Sequence, residues 1–310
     1  MIPYGRAVCY SGYRNNQSPR TMTYPDKKEV LEDLTLLSSY YDYIRMYDIS
    51  PHARTVLETI RAHNIPLKVM LGVEPKGEIS NPACPWGGLH SDEDIARHKN
   101  ENIEALDALV LLAERYKDIV LAVSVGNEST SPWHGNLMAP ETIRDHAIYV
   151  KGKTSLPVTF CEGADVFLET GKTIAPALDV ISVHSYPLWH RVPVNDAVER
   201  TIRDITDVRE AFPGKEVIVT EYGWTTRAND KMDSTVTDEA HQDDYLRRID
   251  LWKEETKTTM FVFEAFDEPW KGSDDPDEPE KHWGLWTVGR EPKRYAGHIM
   301  ETNSPSPFKR

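Results

Sequence analysis

The strongest constraint on how this chain folds is an alternation. Eight short β-rich runs are separated by segments with helical spacing. The runs are Arg6–Tyr10, Tyr43–Tyr47, Pro66–Val73, Ile119–Val125, Pro157–Phe160, Val180–His184, Glu216–Thr220 and Thr259–Phe263. Several are continuously apolar, as strands buried on both faces are.

The gaps carry helix signals. Val30, Leu31, Leu34 and Leu37 recur at helical spacing. Ser50-Pro51 reads as an N-cap with proline at the first helical position. Ser91 and Asp94 form a capping arrangement that opens a helix toward Tyr116. Ala139–Val150, Val194–Phe212 and Thr237–Glu255 are further helices, and Phe167–Ala177 is a short one. After the last run only a weak helix is expected, over Tyr295–Met300.

Such an alternation implies parallel strands with right-handed crossovers. Eight parallel strands can close on themselves. The expected class is therefore α/β, a single (β/α)8 TIM barrel forming one catalytic domain over residues 1–310. The alternative is an open doubly wound sheet, but no glycine-rich dinucleotide fingerprint follows the first run.

Barrel chemistry sits at the C-terminal ends of the strands. Strand four ends Val125-Gly126-Asn127-Glu128, and strand seven ends Thr220-Glu221-Tyr222-Gly223-Trp224. Both place a glutamate on the same rim, on opposed parts of the barrel. Two carboxyls facing each other across a cleft can cleave a glycosidic bond, one as acid and one as attacking base or nucleophile. An isolated rim glutamate would more simply be a solvated charge or an ion-pair member. The combination of Asn127-Glu128 with Glu221 is far more specific.

These motifs resemble those of glycoside hydrolase family 17, the β-1,3-glucanases and related glucanosyltransferases. Val125-Gly126-Asn127-Glu128 is similar to the family's acid/base motif, and Thr220-Glu221-Tyr222-Gly223-Trp224 to its nucleophile motif. Phe263-Glu264-Ala265-Phe266-Asp267-Glu268-Pro269-Trp270-Lys271, followed by Glu280-Lys281-His282-Trp283-Gly284-Leu285-Trp286, resembles its strand-eight signature. Tyr10-Ser11-Gly12-Tyr13-Arg14 and Gln17-Ser18-Pro19 resemble microbial members. The likeness runs from strand one to past strand eight.

The resemblance implies a retaining double displacement on β-1,3-glucan, with Glu221 as nucleophile and Glu128 as acid/base. It implies no metal and no cofactor. It also implies support roles for Glu268, Lys271 and Glu280 in the substrate site, and Glu264 in the same stretch is taken as a further substrate contact. The same two glutamates would serve a transglycosylase, and motifs do not separate transfer from hydrolysis. A catalytically silent glucan-binding barrel is the third possibility, disfavoured because both glutamates are present.

Several other rim residues are candidates for the substrate site. Tyr186, after strand six, could donate to Glu221 or simply pack on Pro187. Arg45, near the end of strand two with Tyr47, could pair with Glu221 or serve a structural ion pair. Asn127 could bond a sugar hydroxyl or its own backbone. Trp133, Trp189, Trp224, Trp270, Trp283 and Trp286 fall after strand ends. Indole faces suit pyranose rings, and Trp189, Trp224 and Trp270 are taken as substrate contacts. His184 is read as a hydrogen-bonded core histidine.

The formal net charge of −14 would repel a phosphate backbone, so nucleic acid is not an expected partner. A neutral polysaccharide meets no such penalty. No run of eighteen apolar residues exists, so no membrane span is expected. A monomer is expected. With the first strand beginning by Ala7 there is no room for a secretory leader, which leaves a cytosolic protein or a processed mature domain. Cys9, Cys84 and Cys161 fit no zinc or disulfide framework and read as buried thiols. The acidic loop Gly272–Lys281 lacks the ligand order of a calcium loop and reads as a solvated charge run.

Overall fold

The computed structural model describes residues 1–85 and 87–303. Eight strands, β1 (Arg6–Cys9), β2 (Tyr43–Arg45), β3 (Lys68–Gly72), β4 (Val120–Asn127), β5 (Val158–Gly163), β6 (Val180–Ser185), β7 (Glu216–Tyr222) and β8 (Met260–Val262), pair in chain order. All pairs are parallel, and β8 closes onto β1. The fold is a (β/α)8 barrel.

Among the described residues eight α-helices surround it: α1 (Lys27–Ser38), α2 (Pro51–His63), α3 (Asp92–Arg115), α4 (Pro140–Lys151), α5 (Ala164–Ile174), α6 (Ala197–Ala211), α7 (Glu239–Thr256) and α8 (Arg294–Asn303). Their starts follow local chemistry. Asp26 caps α1 and Glu29 returns the bond, a full capping box. Ser50 caps α2 with Pro51 in the first turn, and Asn64 ends it in a left-handed conformation. Ser91 and Asp94 form the capping box of α3. Val30, Leu34 and Leu37 on α1, and Val56, Leu57 and Ile60 on α2, are the stripes buried against the barrel.

Four segments depart most from the sequence reading. Strand β5 runs on past Phe160 to include Cys161, Glu162 and Gly163, because the charge of Glu162 is buried among hydrogen-bond donors. Helix α5 starts earlier than expected, and Ala175–Ala177 is a separate 3-10 turn beyond it. Helix α6 starts at Ala197, behind a 3-10 turn at Val194–Asp196. The last helix is longer than its weak pattern implied, because Tyr295 and Ala296 are buried and Tyr295 bonds Asp250 on α7.

Four strand pairs show register shifts, three of them at their C-terminal ends: Ser124/Asn127, Val183/His184 and Val219/Tyr222. Bulges re-aim side chains that strict alternation would point elsewhere. The shifts bracket Asn127, His184 and Glu221. Gly223, just after Glu221, is needed as glycine: a Cβ there would collide with the Phe263 carbonyl oxygen. All three cysteines are free and buried. No helix among the described residues is long and apolar enough to cross a membrane.

Candidate active site

Glu128 follows the last residue of β4. Its backbone is left-handed, with φ of 51°, a conformation that a residue with a Cβ adopts only where its surroundings hold it. Its N–H donates to the Cys161 carbonyl at 2.8 Å, and its own carbonyl accepts from the Ser131 N–H at 3.1 Å. The side chain is thereby turned over the mouth of the barrel, 19% exposed.

Glu221 lies within β7, in register with His184 on β6. An oxygen of Glu128, an oxygen of Glu221 and a ring nitrogen of His184 all lie within 4.8 Å of one another. His184 Nδ1 is 2.8 Å from Glu128 Oε1 and 3.6 Å from Glu221 Oε2.

The two carboxyls have different surroundings. Glu221 is 7% exposed and paired with Arg45, whose Nη1 is 2.5 Å from Oε1. Tyr186 donates its hydroxyl to Oε2 at 2.6 Å. Burial alone would push the Glu221 carboxyl up. The charges of His184 and Arg45, with hydrogen bonds from Tyr186 and Tyr47, outweigh it and hold the group down at about 2. The side-chain partner of Glu128 is His184, whose Nδ1 meets Oε1 at 2.8 Å.

Burial opposes charge on His184 too. The Glu221 charge, with bonds to Cys161 and Glu128, overrides it and pushes the imidazole up to about 10. Arg45 adds bonds to the Thr220 carbonyl at 3.0 Å and Asn127 Oδ1 at 2.5 Å, and its guanidinium lies over the Tyr47 ring at 4.3 Å. One cation thus ties β2, β4 and β7 beneath the cleft. A metal would find its donor set already engaged: Arg45 and Tyr186 hold the two oxygens of Glu221, and His184 spends Nδ1 on Glu128.

The other rim candidates sort by exposure. Arg45 is buried and serves Glu221, so it is removed from direct contact with a sugar. Glu264 and Glu268 are each 1% exposed and clasp Lys271, at 2.9 and 2.5 Å. Both carboxylates are buried and engaged by the lysine, which at 14% exposed is the most accessible of the three. Burial and the neighbouring Glu268 charge push Glu264 well up, while Lys271 and a bond from Glu264 overcome burial to hold Glu268 down. The two carboxyls are therefore unlike, and Lys271 stands closest to Glu268, the one held down. Trp270, half-buried, donates Nε1 to Glu268 at 3.0 Å and meets Tyr13 edge-on. Glu280 is half-buried, and burial with the charges of Glu221 and Glu128, opposed by Lys271, pushes it up to about 7.

Trp224 overturns its expectation. Its ring is fully enclosed, packs on Tyr245 at 5.1 Å and donates to the Val236 carbonyl, so neither face meets the cleft. Trp283 and Trp286 are likewise buried. Trp189 is 39% exposed on the turn after β6.

Over residues 7–284 the chain matches the BtgE/BtgC glycoside hydrolase domain. It belongs to that family. It is a glycosidase. A glucan 1,3-beta-glucosidase of Arthroderma benhamiae is 23% identical over 287 residues, covering 86% of this chain and 84% of that protein. A probable glucan endo-1,3-beta-glucosidase btgC of Aspergillus fumigatus is 25% identical over 302 residues, covering 88% of this chain. The chain spans only 40% of that relative's length. Among solved structures, an endo-laminarinase from Formosa Hel1_33_131 superposes with a TM-score of 0.81 at 24% identity, covering 96% of this chain and 86% of that one. The glycoside hydrolase family 17 β-1,3-glucanosyltransferase of Rhizomucor miehei gives 0.72 at 19% identity, covering 95% and 96%. At these identities the structural matches speak for the fold.

Two residues of this BtgE/BtgC-type site escaped the sequence reading. His184 bridges both glutamates and is no ordinary core histidine. A signal existed: it precedes Tyr186 by two, so on a strand both point to one face. Glu162 was hidden because the apolar run of strand five was ended at Phe160.

Proposed function

We propose that the chain is a retaining β-1,3-glucan hydrolase of glycoside hydrolase family 17, and that the described residues form its single catalytic domain. The observation that carries this is the short gap between two unlike carboxyls: oxygens of Glu128 and Glu221 lie within 4.8 Å, with Arg45 and Tyr186 bonded to Glu221. Retaining pairs stand about 5–5.5 Å apart and inverting pairs about 6.5–9.5 Å, the extra space holding a water. The linkage rests on the likeness to glucan 1,3-beta-glucosidases and to an endo-laminarinase.

In the first step Glu221 attacks the anomeric carbon. The bond to the leaving oxygen breaks, and that oxygen takes the proton of Glu128. His184 occupies Glu128 Oε1, which leaves Oε2 to deliver the proton. In the second step a water oxygen attacks the same carbon, its proton returns to Glu128, and Glu221 is released. Arg45 and Tyr186 keep Glu221 ionised and aimed throughout. Trp189, Trp270, Tyr47, Asn127 and Glu280 are the side chains we place along the sugar path.

The test is turnover of laminarin by Glu128→Gln and Glu221→Gln, with the anomer of the first product read by NMR. Loss of most activity in both variants and a β-product are expected. Wild-type turnover of either variant, or an α-product, overturns the reading. Chromatography of the same products distinguishes transfer from hydrolysis, since transfer alone yields chains longer than the substrate.

A further inference from the structure

Glu162 ends β5 one strand away from Glu128 and is wholly buried. Four donors converge on it. Oε2 accepts from the Thr130 N–H at 3.0 Å and the Thr130 hydroxyl at 2.7 Å. Oε1 accepts from the Ser131 hydroxyl at 2.7 Å and the Gly163 N–H at 2.8 Å. Only an acceptor-only group satisfies this set, since an amide would turn a donor toward donors. Three of the four bonds come from the turn Glu128–Ser131, which Glu128 opens in its left-handed conformation. That conformation is disfavoured and persists only where neighbours fix it.

We infer that Glu162 is a positioning residue for Glu128, gripping the turn that presents its carboxyl to the leaving sugar oxygen. It is too deeply buried to touch substrate and acts through Glu128. Burial and the Glu128 charge push Glu162 up to about 7, against the pull of its Thr130 and Ser131 bonds, so Glu162 lies within electrostatic reach of Glu128 as well as gripping its turn. The inference rests on the acid/base role given to Glu128.

The test compares two leaving groups. Laminarin needs a protonated leaving oxygen, whereas dinitrophenyl β-laminaribioside releases a phenolate that needs none. General acid catalysis contributes about 10²–10⁴-fold, so in Glu162→Gln laminarin turnover should fall by about 10–100-fold while the pre-steady-state burst of dinitrophenolate stays within about threefold of wild type. Ser131→Ala removes one grip but keeps the charge, and should show the same split at smaller amplitude. If Glu162→Gln does not fold, Ser131→Ala carries the test. Equal loss on both substrates, or no loss on either, overturns the inference. Glu128→Gln run alongside separates the two readings: if it too shows no split, the acid/base assignment itself fails.

Discussion

Arg45 and Glu221 form a buried ion pair at 2.5 Å, with 3% and 7% of their side chains exposed. Removing one partner of such a pair strands the other charge, which typically costs about 3–5 kcal/mol. Glu221 is held at about 2, below its ordinary 4.5, by His184 and Arg45 against burial. A depressed carboxylate contributes stability present above its unfolded value and lost as pH falls through the folded one. Arg45→Met should therefore lower stability by about 3–5 kcal/mol at neutral pH, with a smaller deficit in acid. It should also move the acid limb of kcat/KM to higher pH. Thermal unfolding and pH–rate profiles check both, and an unmoved acid limb would show that Arg45 does not set the state of Glu221.

Tyr186 holds the other oxygen of Glu221 at 2.6 Å. Hydrogen bonds to charged groups contribute about 1.5–3 kcal/mol, so Tyr186→Phe should lower kcat/KM by about 10–100-fold. The acid limb should shift in the same direction as in Arg45→Met, but less. Because the two donors share one carboxylate, the double variant should lose less than the sum of the single losses. Strict additivity in that cycle would argue against a common target.

The barrel was legible because its strands are apolar runs of the right number and its helices carry explicit caps at Asp26, Ser50 and Ser91. The glutamates were legible because strand ends in a barrel converge on one rim. Their environment was legible in part: Arg45 and Tyr186 could each be named as a partner of Glu221, but local sequence left each beside a structural alternative, which closure of the barrel decides. Nothing in it says that Glu264 and Glu268 would be buried around Lys271, although the three are near neighbours in the chain. Trp224 misled because a residue after a strand can turn outward to pack on a helix, here against Tyr245. Glu162 shows the converse, a charge that ended an apolar run in the sequence yet lies in the strand because the next loop supplies its donors.

His184 is raised from 6.5 to about 10 by Glu221, Cys161 and Glu128 in spite of burial. A raised histidine contributes stability that is fully present below its unfolded value and lost as pH rises through the folded one. His184→Asn keeps a donor near Glu128 but carries no charge. The stability gap between wild type and this variant should be widest below about pH 6.5 and close toward pH 10. Urea unfolding across that range measures it. A gap that stays constant with pH would mean that folding leaves the proton affinity of His184 unchanged.

Lys271 stands between Glu264 and Glu268, with its ammonium 2.9 and 2.5 Å from their oxygens. Glu264 is pushed well up and Glu268 is held down, so the charge that Lys271 meets lies chiefly on Glu268. Lys271→Met leaves one negative charge uncompensated, and about 3–5 kcal/mol of stability should be lost at neutral pH. In the wild type Glu268 is held below its ordinary 4.5, so its contribution disappears as pH falls below that value. The variant never has that contribution, and a second proton can settle on its carboxyl pair in acid. The two unfolding curves should therefore converge as pH is lowered toward 4. Adding Glu268→Gln to Lys271→Met removes the stranded charge and should recover part of the loss at neutral pH. Parallel pH–stability curves for wild type and Lys271→Met, or no recovery in the double variant, would show that packing of the lysine stem, and not charge balance, is what the cluster needs from this residue.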